Sequence, residues 1–149
     1  MLLIDHFISK SKIHGMGVFS AEFVRAGAIV WEYNRVLDIK ILEAELTGLP
    51  EHVIARIKTH AEYFPTEKYF ILGTDGDYYM NHSDDPNLLD RGDKMLASRD
   101  ISIGEELTCD YRIVKVATFD PDTHSALRIR LICENDQVID RSLNSMSKL

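Results

Sequence analysis

Three short segments carry side chains whose types and spacing suit a chemical role. In Tyr79-Met80-Asn81-His82-Ser83-Asp84-Asp85-Pro86-Asn87, a strand-like stretch ends in a polar turn, so an amide and an imidazole are held in place rather than moving freely in solvent. A turn of this composition is equally an Asx-turn that caps only its own backbone. His82, Asp84, Asp85, Asp90 and Asp93 crowd together, but their spacing matches neither the zinc patterns nor the twelve-residue calcium loop, so no metal is expected. In Lys12-Ile13-His14-Gly15-Met16-Gly17-Val18-Phe19, two glycines flank Met16 ahead of a strand-like run. That arrangement lets the backbone come close to a ligand and offer amide donors, and it also serves a ligand-free turn or bulge. No third glycine opens a helix and no βαβ unit follows, which excludes a Rossmann site. The third segment, Ile103-Gly104-Glu105-Glu106-Leu107-Thr108-Cys109-Asp110-Tyr111, reads as a glycine turn into a strand ending on an Asp-Tyr pair. A tyrosine there is ordinarily half-buried with its hydroxyl satisfied. A nucleophilic Cys109 needs a partnering base, and the sequence places none beside it.

Many short strands must position these segments. The first hundred residues alternate short apolar runs with Gly, Pro, Asn and Asp, which predicts strands over 28–33, 36–39, 68–72, 77–80, 94–98 and 106–111. Asp75-Gly76 is expected to be the tight turn between two of them. One amphipathic helix is predicted over 49–63, where Pro50 fits a first turn and Val53, Ile54, Ile57 and Ala61 share a face. A shorter helical turn over 41–46 ends at Thr47-Gly48. Residues 125–134 suit a strand or a helix, and 135–149 read as a frayed tail. The periodicity therefore describes a mainly β protein with a small helical insert.

The chain of 149 residues is the size of one domain, and a hydrophobic fraction of 45% with 28% charged residues is that of a soluble globular protein. No apolar run is long enough to cross a bilayer, and the first residues lack a signal peptide's pattern, so an intracellular protein away from the membrane is expected. Cys109 and Cys133 are too few for a disulfide scaffold and are read as reduced. A net charge of −7 disfavours nucleic acid as the primary partner and suits a basic one.

Together and in this order, the three segments resemble the SET-domain family of protein lysine methyltransferases. Gly15-x-Gly17, Asn81-His82-Ser83-x-x-Pro86-Asn87 and Gly104-Glu105-Glu106-Leu107-Thr108-x-Asp110-Tyr111 stand where the family's motifs stand, and Gly27-Ala28-Ile29-Val30-Trp31-Glu32-Tyr33 is similar to its strand pair after the glycine motif. The resemblance covers about residues 7–112, with the helical insert, about 41–63, in the family's variable region. It implies a β-clip fold of several short curved sheets with a threaded C-terminal segment. A single catalytic domain over 1–134 would include a lid over 112–134, and 135–149 would be a tail.

The implied activity is methyl transfer from S-adenosylmethionine, leaving S-adenosylhomocysteine, to a lysine side chain in a basic protein substrate. By the same resemblance Gly15, Met16 and Gly17 wrap the cofactor, Asn81 holds its amino-acid end, and the His82 main chain meets the adenine. Tyr111 matches the catalytic tyrosine and Tyr33 a second one, while Tyr79, Cys109 and Phe119 are candidates for the substrate channel. Cys109 replaces an aromatic residue that often governs how many methyl groups are added, which favours more than monomethylation. The family's zinc-binding cysteine clusters are missing, as in its small bacterial and viral members, which close the channel with their own tail or by dimerising. The alternatives are a catalytically silent SET-like module that recognises a peptide or partner protein, and an Asp/His metal hydrolase built on His82.

Overall fold

The computed structural model describes residues 1–120; the 125–134 segment, Cys133, the later part of the expected lid and the tail lie outside the described residues. In chain order the strands are β1 (His6–Lys10), β2 (Met16–Ser20), β3 (Ile29–Glu32), β4 (Asp38–Leu42), β5 (Glu62–Phe64), β6 (Tyr69–Gly73), β7 (Asn81–His82), β8 (Leu88–Asp90), β9 (Lys94–Ala97) and β10 (Thr108–Cys109). Between β4 and β5 lies the helix α1 (Glu51–His60), and single 3₁₀ turns occupy Glu43–Leu46 and Gly76–Tyr79.

The strands form small separate sheets. β1 and β2 make an antiparallel hairpin in which Phe7 faces Phe19, their rings stacked at 5.5 Å. β9 lies between β3 and β8, and β6 lies between β4 and β5, all antiparallel. β10 runs parallel to β7, pairing Thr108 with Asn81 and Cys109 with His82, so the second and third segments become neighbours. The fold is mostly β with one helix, in several small sheets, as the sequence reading expects.

Where the elements differ from expectation, pairing decides. The 36–39 strand starts instead at Asp38 and continues to Leu42, because five successive residues pair with β6, so the helical turn expected over 41–46 is present but begins at Glu43. Helix 49–63 is trimmed to Glu51–His60, since Glu62, Tyr63 and Phe64 are drawn into pairing with β6. The strand expected over 77–80 is a 3₁₀ turn, and Asp75-Gly76 closes no hairpin. Both edges of β6 are already taken by β4 and β5, so the chain after it has no edge to join. The Asp75 carboxylate instead caps that turn by accepting the Asp77 N–H at 3.1 Å. The short strand β8 and the first strand β1 were not anticipated.

Two apolar clusters support these sheets. Val18, Val30, Trp31, Met80, Leu88, Ile101, Leu107 and Cys109 form the larger, and Leu46, Ile57, Ala61 and Phe70 the smaller. Val53 and Ile54 pack against the smaller one, so the helical face read from the sequence is the face that α1 buries. Among the described residues no helix is long and apolar enough to cross a membrane.

Candidate functional site

Asn81 knots the three segments together. Its Nδ2 donates to the His14 carbonyl at 3.1 Å, the Met16 carbonyl at 3.0 Å and Glu106 Oε1 at 2.8 Å. Three acceptors converge there, so the amide must present its nitrogen to them, and Oδ1 remains as its acceptor. The Glu106 carboxylate also takes the Ser11 hydroxyl at 2.8 Å, and the Ser11 N–H bonds the Gly15 carbonyl at 2.9 Å. The loop of residues 11–17 is thereby fastened to β7 and to Glu106, two residues before β10. Gly15 has φ +49°, the left-handed region that glycine enters without strain. At Gly17 the reason is space: a Cβ would overlap the Glu106 carboxylate.

Asn87, 2% exposed, fastens the same strand from the other side. Its Nδ2 donates to the Glu106 carbonyl at 2.8 Å and to Glu105 Oε1 at 3.0 Å, and its Oδ1 accepts the Thr108 N–H at 2.9 Å. His82 is buried beside Asn81, and its Nδ1 accepts the Tyr111 N–H at 3.2 Å. That leaves Nε2 as the N–H facing Asp84 Oδ1 at 3.4 Å. Arg112 bridges Asp110 at 2.7 Å and Asp84 at 3.1 Å, and its guanidinium holds the Asp110 carboxyl below the ordinary carboxylate range.

Tyr111 lies just beyond β10 and donates its hydroxyl to the Met80 carbonyl at 2.6 Å. Burial pushes its phenol well above the ordinary range, so it is a neutral hydroxyl at any physiological pH. The His82 and Phe119 rings stand 4.5 Å apart and Phe119 meets Tyr111 edge-on at 5.5 Å, forming an aromatic trio. Next to it is a cavity of about 80 Å³, lined by Tyr111 and Cys109, by Trp31, Tyr78, Met80 and Met95, and by Glu62 and Asp77. Burial first, and then the nearby Asp90, Glu62, Asp110 and Asp77 carboxylates, push the Cys109 thiol up, so it is no nucleophile.

Of the residues singled out from sequence, the structure brings Gly15, Met16, Gly17, Asn81, His82, Cys109, Tyr111 and Phe119 into one connected region. Tyr33 and Tyr79 are not on the cavity wall; they are 37% and 40% exposed, and Trp31 and Tyr78 stand there instead. For Tyr79 the cause is the 3₁₀ turn, which aims successive side chains about a third of a turn apart rather than to alternate sides. Glu106, Asp77, Glu62 and Trp31 were missed as site residues. Glu106 sits inside a quoted motif, and an acid between a strand's apolar residues was a signal; Asp77 and Glu62 look like solvent-facing acids until the chain folds. Among the described residues no group of three His, Cys, Asp or Glu side chains is arranged to hold a metal ion.

The SET-domain family model matches residues 15–112, about two thirds of the chain, and the protein belongs to that family. Solved structures agree in fold. A humanized mutant of the Chaetomium thermophilum Polycomb Repressive Complex 2 is 24% identical with a TM-score of 0.57, over 72% of this chain and 15% of that one. A Plasmodium falciparum protein assigned as a histone methyltransferase is 21% identical with a TM-score of 0.51, over 74% of this chain and 95% of that one. The structure of ctPRC2 in an autoinhibited conformation bound to S-adenosylmethionine is 23% identical with a TM-score of 0.56, over 72% and 15%. The chain thus spans a small part of the Polycomb subunits it resembles. No curated protein matches it significantly by sequence.

Proposed function

We propose that this protein transfers a methyl group from S-adenosylmethionine to the side-chain amine of a lysine in a basic protein. The observation that carries the reading is the parallel pairing of β7 with β10, which sets Asn81 and His82 of one motif against Cys109 and Tyr111 of another, beside a cavity with aromatic and apolar walls. S-adenosylmethionine, when bound, supplies an electrophilic sulfonium methyl group and leaves as S-adenosylhomocysteine. The loop at Gly15-Met16-Gly17 fits such a ligand because its backbone at Gly15 is uncovered by side chains, while at Gly17 the Glu106 carboxylate fills the place of a side chain. Asn81 Oδ1 offers an acceptor for an α-ammonium group, and the His82 main chain lies on the same strand for the adenine.

The remaining work is alignment. Tyr111, neutral and tied to the Met80 carbonyl, acts as a fixed dipole beside the reacting atoms and not as a base. Phe119 braces it against His82. Trp31 and Tyr78 take the wall positions expected of Tyr33 and Tyr79, and the small Cys109 leaves room for an amine that already carries a methyl group. The net charge of −7 favours a lysine-rich, basic target.

Two measurements test this. Saturating S-adenosylmethionine or S-adenosylhomocysteine, at about a hundred times its dissociation constant, should stabilise the protein by roughly 2.7 kcal/mol, a shift of several degrees. Labelled methyl transfer to a mixed pool of basic proteins should follow, and Tyr111→Phe should lower it by about tenfold to a hundredfold with the thermal shift kept. Cofactor binding with no transfer to any lysine would assign the silent binding module instead.

A further inference from the structure

A side-chain amide is nearly symmetric in shape, so its oxygen and nitrogen can trade places unless the neighbours distinguish them. At Asn81 two of the neighbours are main-chain carbonyls, those of His14 and Met16. The third, Glu106 Oε1, is the nearest at 2.8 Å and the one that belongs to a carboxylate. A carboxylate attracts the N–H end and repels the oxygen end, so Glu106 decides which end of the amide is left free. The free end is Oδ1, and no donor among the described residues reaches it. Asp77 Oδ1 is the one fully buried side-chain acceptor without a partner among those residues, so the unserved Asn81 oxygen is open to an incoming donor.

Glu106 is itself anchored. The Ser11 hydroxyl lies 2.8 Å from both carboxylate oxygens and accepts the Ile13 N–H at 2.8 Å, so the loop is wound around the group that holds the acid. Behind it, Glu106 bridges to Phe19 and the Leu107 N–H donates to the Val18 carbonyl at 2.8 Å, which fixes the main chain on either side. The partners of the carboxylate, Ser11 and Asn81, are both neutral. The ion pairs of the described residues engage Asp38, Asp84, Asp110, Glu32 and Glu105, and none engages Glu106. A held carboxylate thus stands behind the glycine loop with an amide on its ligand side and no cation of its own.

We infer that Glu106 is a positioning residue for the cofactor: it keeps Asn81 Oδ1 presented to the α-ammonium group and, through the amide, supplies the negative charge that this ammonium balances. The inference rests on the methyltransferase reading for the identity of the cofactor. Glu106 touches neither the ligand nor the reacting atoms. Its effect passes through one hydrogen bond, since an amide whose N–H is drawn to a carboxylate carries more electron density on its oxygen and is the stronger acceptor. Glu106 therefore favours ligands that bear the ammonium over the same adenosyl thioether without it, and it acts on binding rather than on the methyl-transfer step.

S-Adenosylhomocysteine and 5′-methylthioadenosine share the adenosyl thioether, and only the first carries the amino-acid end. Glu106→Gln keeps the shape of the side chain and removes its charge. By calorimetry on the intact protein it should weaken S-adenosylhomocysteine by about tenfold and 5′-methylthioadenosine by no more than about twofold. Ser11→Ala, which frees Glu106 without touching Asn81, should weaken S-adenosylhomocysteine by about threefold with the same selectivity. In an Asn81→Ala background Glu106→Gln should have no further effect on S-adenosylhomocysteine, because the two residues act through one bond. In turnover, Glu106→Gln should raise KM for S-adenosylmethionine by more than it lowers kcat. Equal weakening of the two ligands, or an effect that adds to that of Asn81→Ala, overturns the assignment and leaves Glu106 a structural residue. If 5′-methylthioadenosine binds too weakly to measure, the cycle with Asn81→Ala decides; if Glu106→Gln does not fold, Ser11→Ala decides with the two ligands. S-Adenosylhomocysteine affinity unchanged in Glu106→Gln overturns this inference alone, whereas no binding of that ligand to the unmodified protein removes the methyltransferase reading with it.

Discussion

Gly17 has no space for a side chain, because Glu106 lies against its α-carbon while serving Asn81 and Ser11. Gly17→Ala must therefore push the carboxylate away or bend the loop, with a cost of about 1–3 kcal/mol and a loss of S-adenosylhomocysteine affinity. Urea unfolding and the thermal shift with that ligand measure the two effects separately. Cys109 makes a different case: it is 4% exposed and faces the cavity. Cys109→Phe should cost about 1–3 kcal/mol by overpacking and restrict the product to monomethyl-lysine, as read by mass spectrometry of a methylated substrate. Neither position is understood from its residue type; each is understood from the atom that stands against it.

The short strand β10 pairs with β7 over only two residues, so its position rests on side chains outside the ladder. Asn87 is the main one. Asn87→Ala would leave the Thr108 N–H and the Glu106 carbonyl unserved in a buried place, which should cost about 3 kcal/mol and displace Tyr111. A fall in the urea midpoint, with methyl transfer reduced beyond what the folded fraction explains, is the expected outcome. The insert of α1 with β5 and β6 is a different kind of element, held by its own small cluster of Leu46, Ile57, Ala61 and Phe70. It reaches the cavity through His60, whose ring stacks on Tyr78 at 4.1 Å, and through Glu62.

Across the whole molecule, the two buried acids link stability to pH. Unfolded, Asp and Glu titrate near 4, whereas in the fold Asp77 and Glu62 titrate at about 7 and 8. Between those values the folded state binds more protons than the unfolded one, so their contribution is fully present below about pH 4 and is lost as pH rises through about 7 to 8. His60, lowered mainly by burial, and Asp110, lowered mainly by Arg112, act in the other direction on the acid side. Comparison with the Glu62→Gln/Asp77→Asn double variant separates the terms. The melting temperature of the variant relative to the unmodified protein should climb from about pH 4 to about pH 8 and level off above it, and a difference independent of pH would show that neither acid is perturbed.

Glycines, an Asn-His-Ser turn and a terminal Asp-Tyr pair were legible from the chain because backbone freedom, turn chemistry and strand composition are local properties. The apolar face of α1 was legible for the same reason, as its period repeats within a few residues. The family match over 15–112 contains those motifs. What the sequence could not determine were properties that depend on which edge of which strand was still open. Because β6 is flanked on both sides, residues 76–79 became a 3₁₀ turn, and that turn exchanged Tyr79 for Tyr78 and brought Asp77 to the Trp31 indole. A carboxylate's partners, and hence its proton affinity, are set by residues distant in sequence, so Asp77 and Glu62 acquired their chemistry only from the tertiary structure.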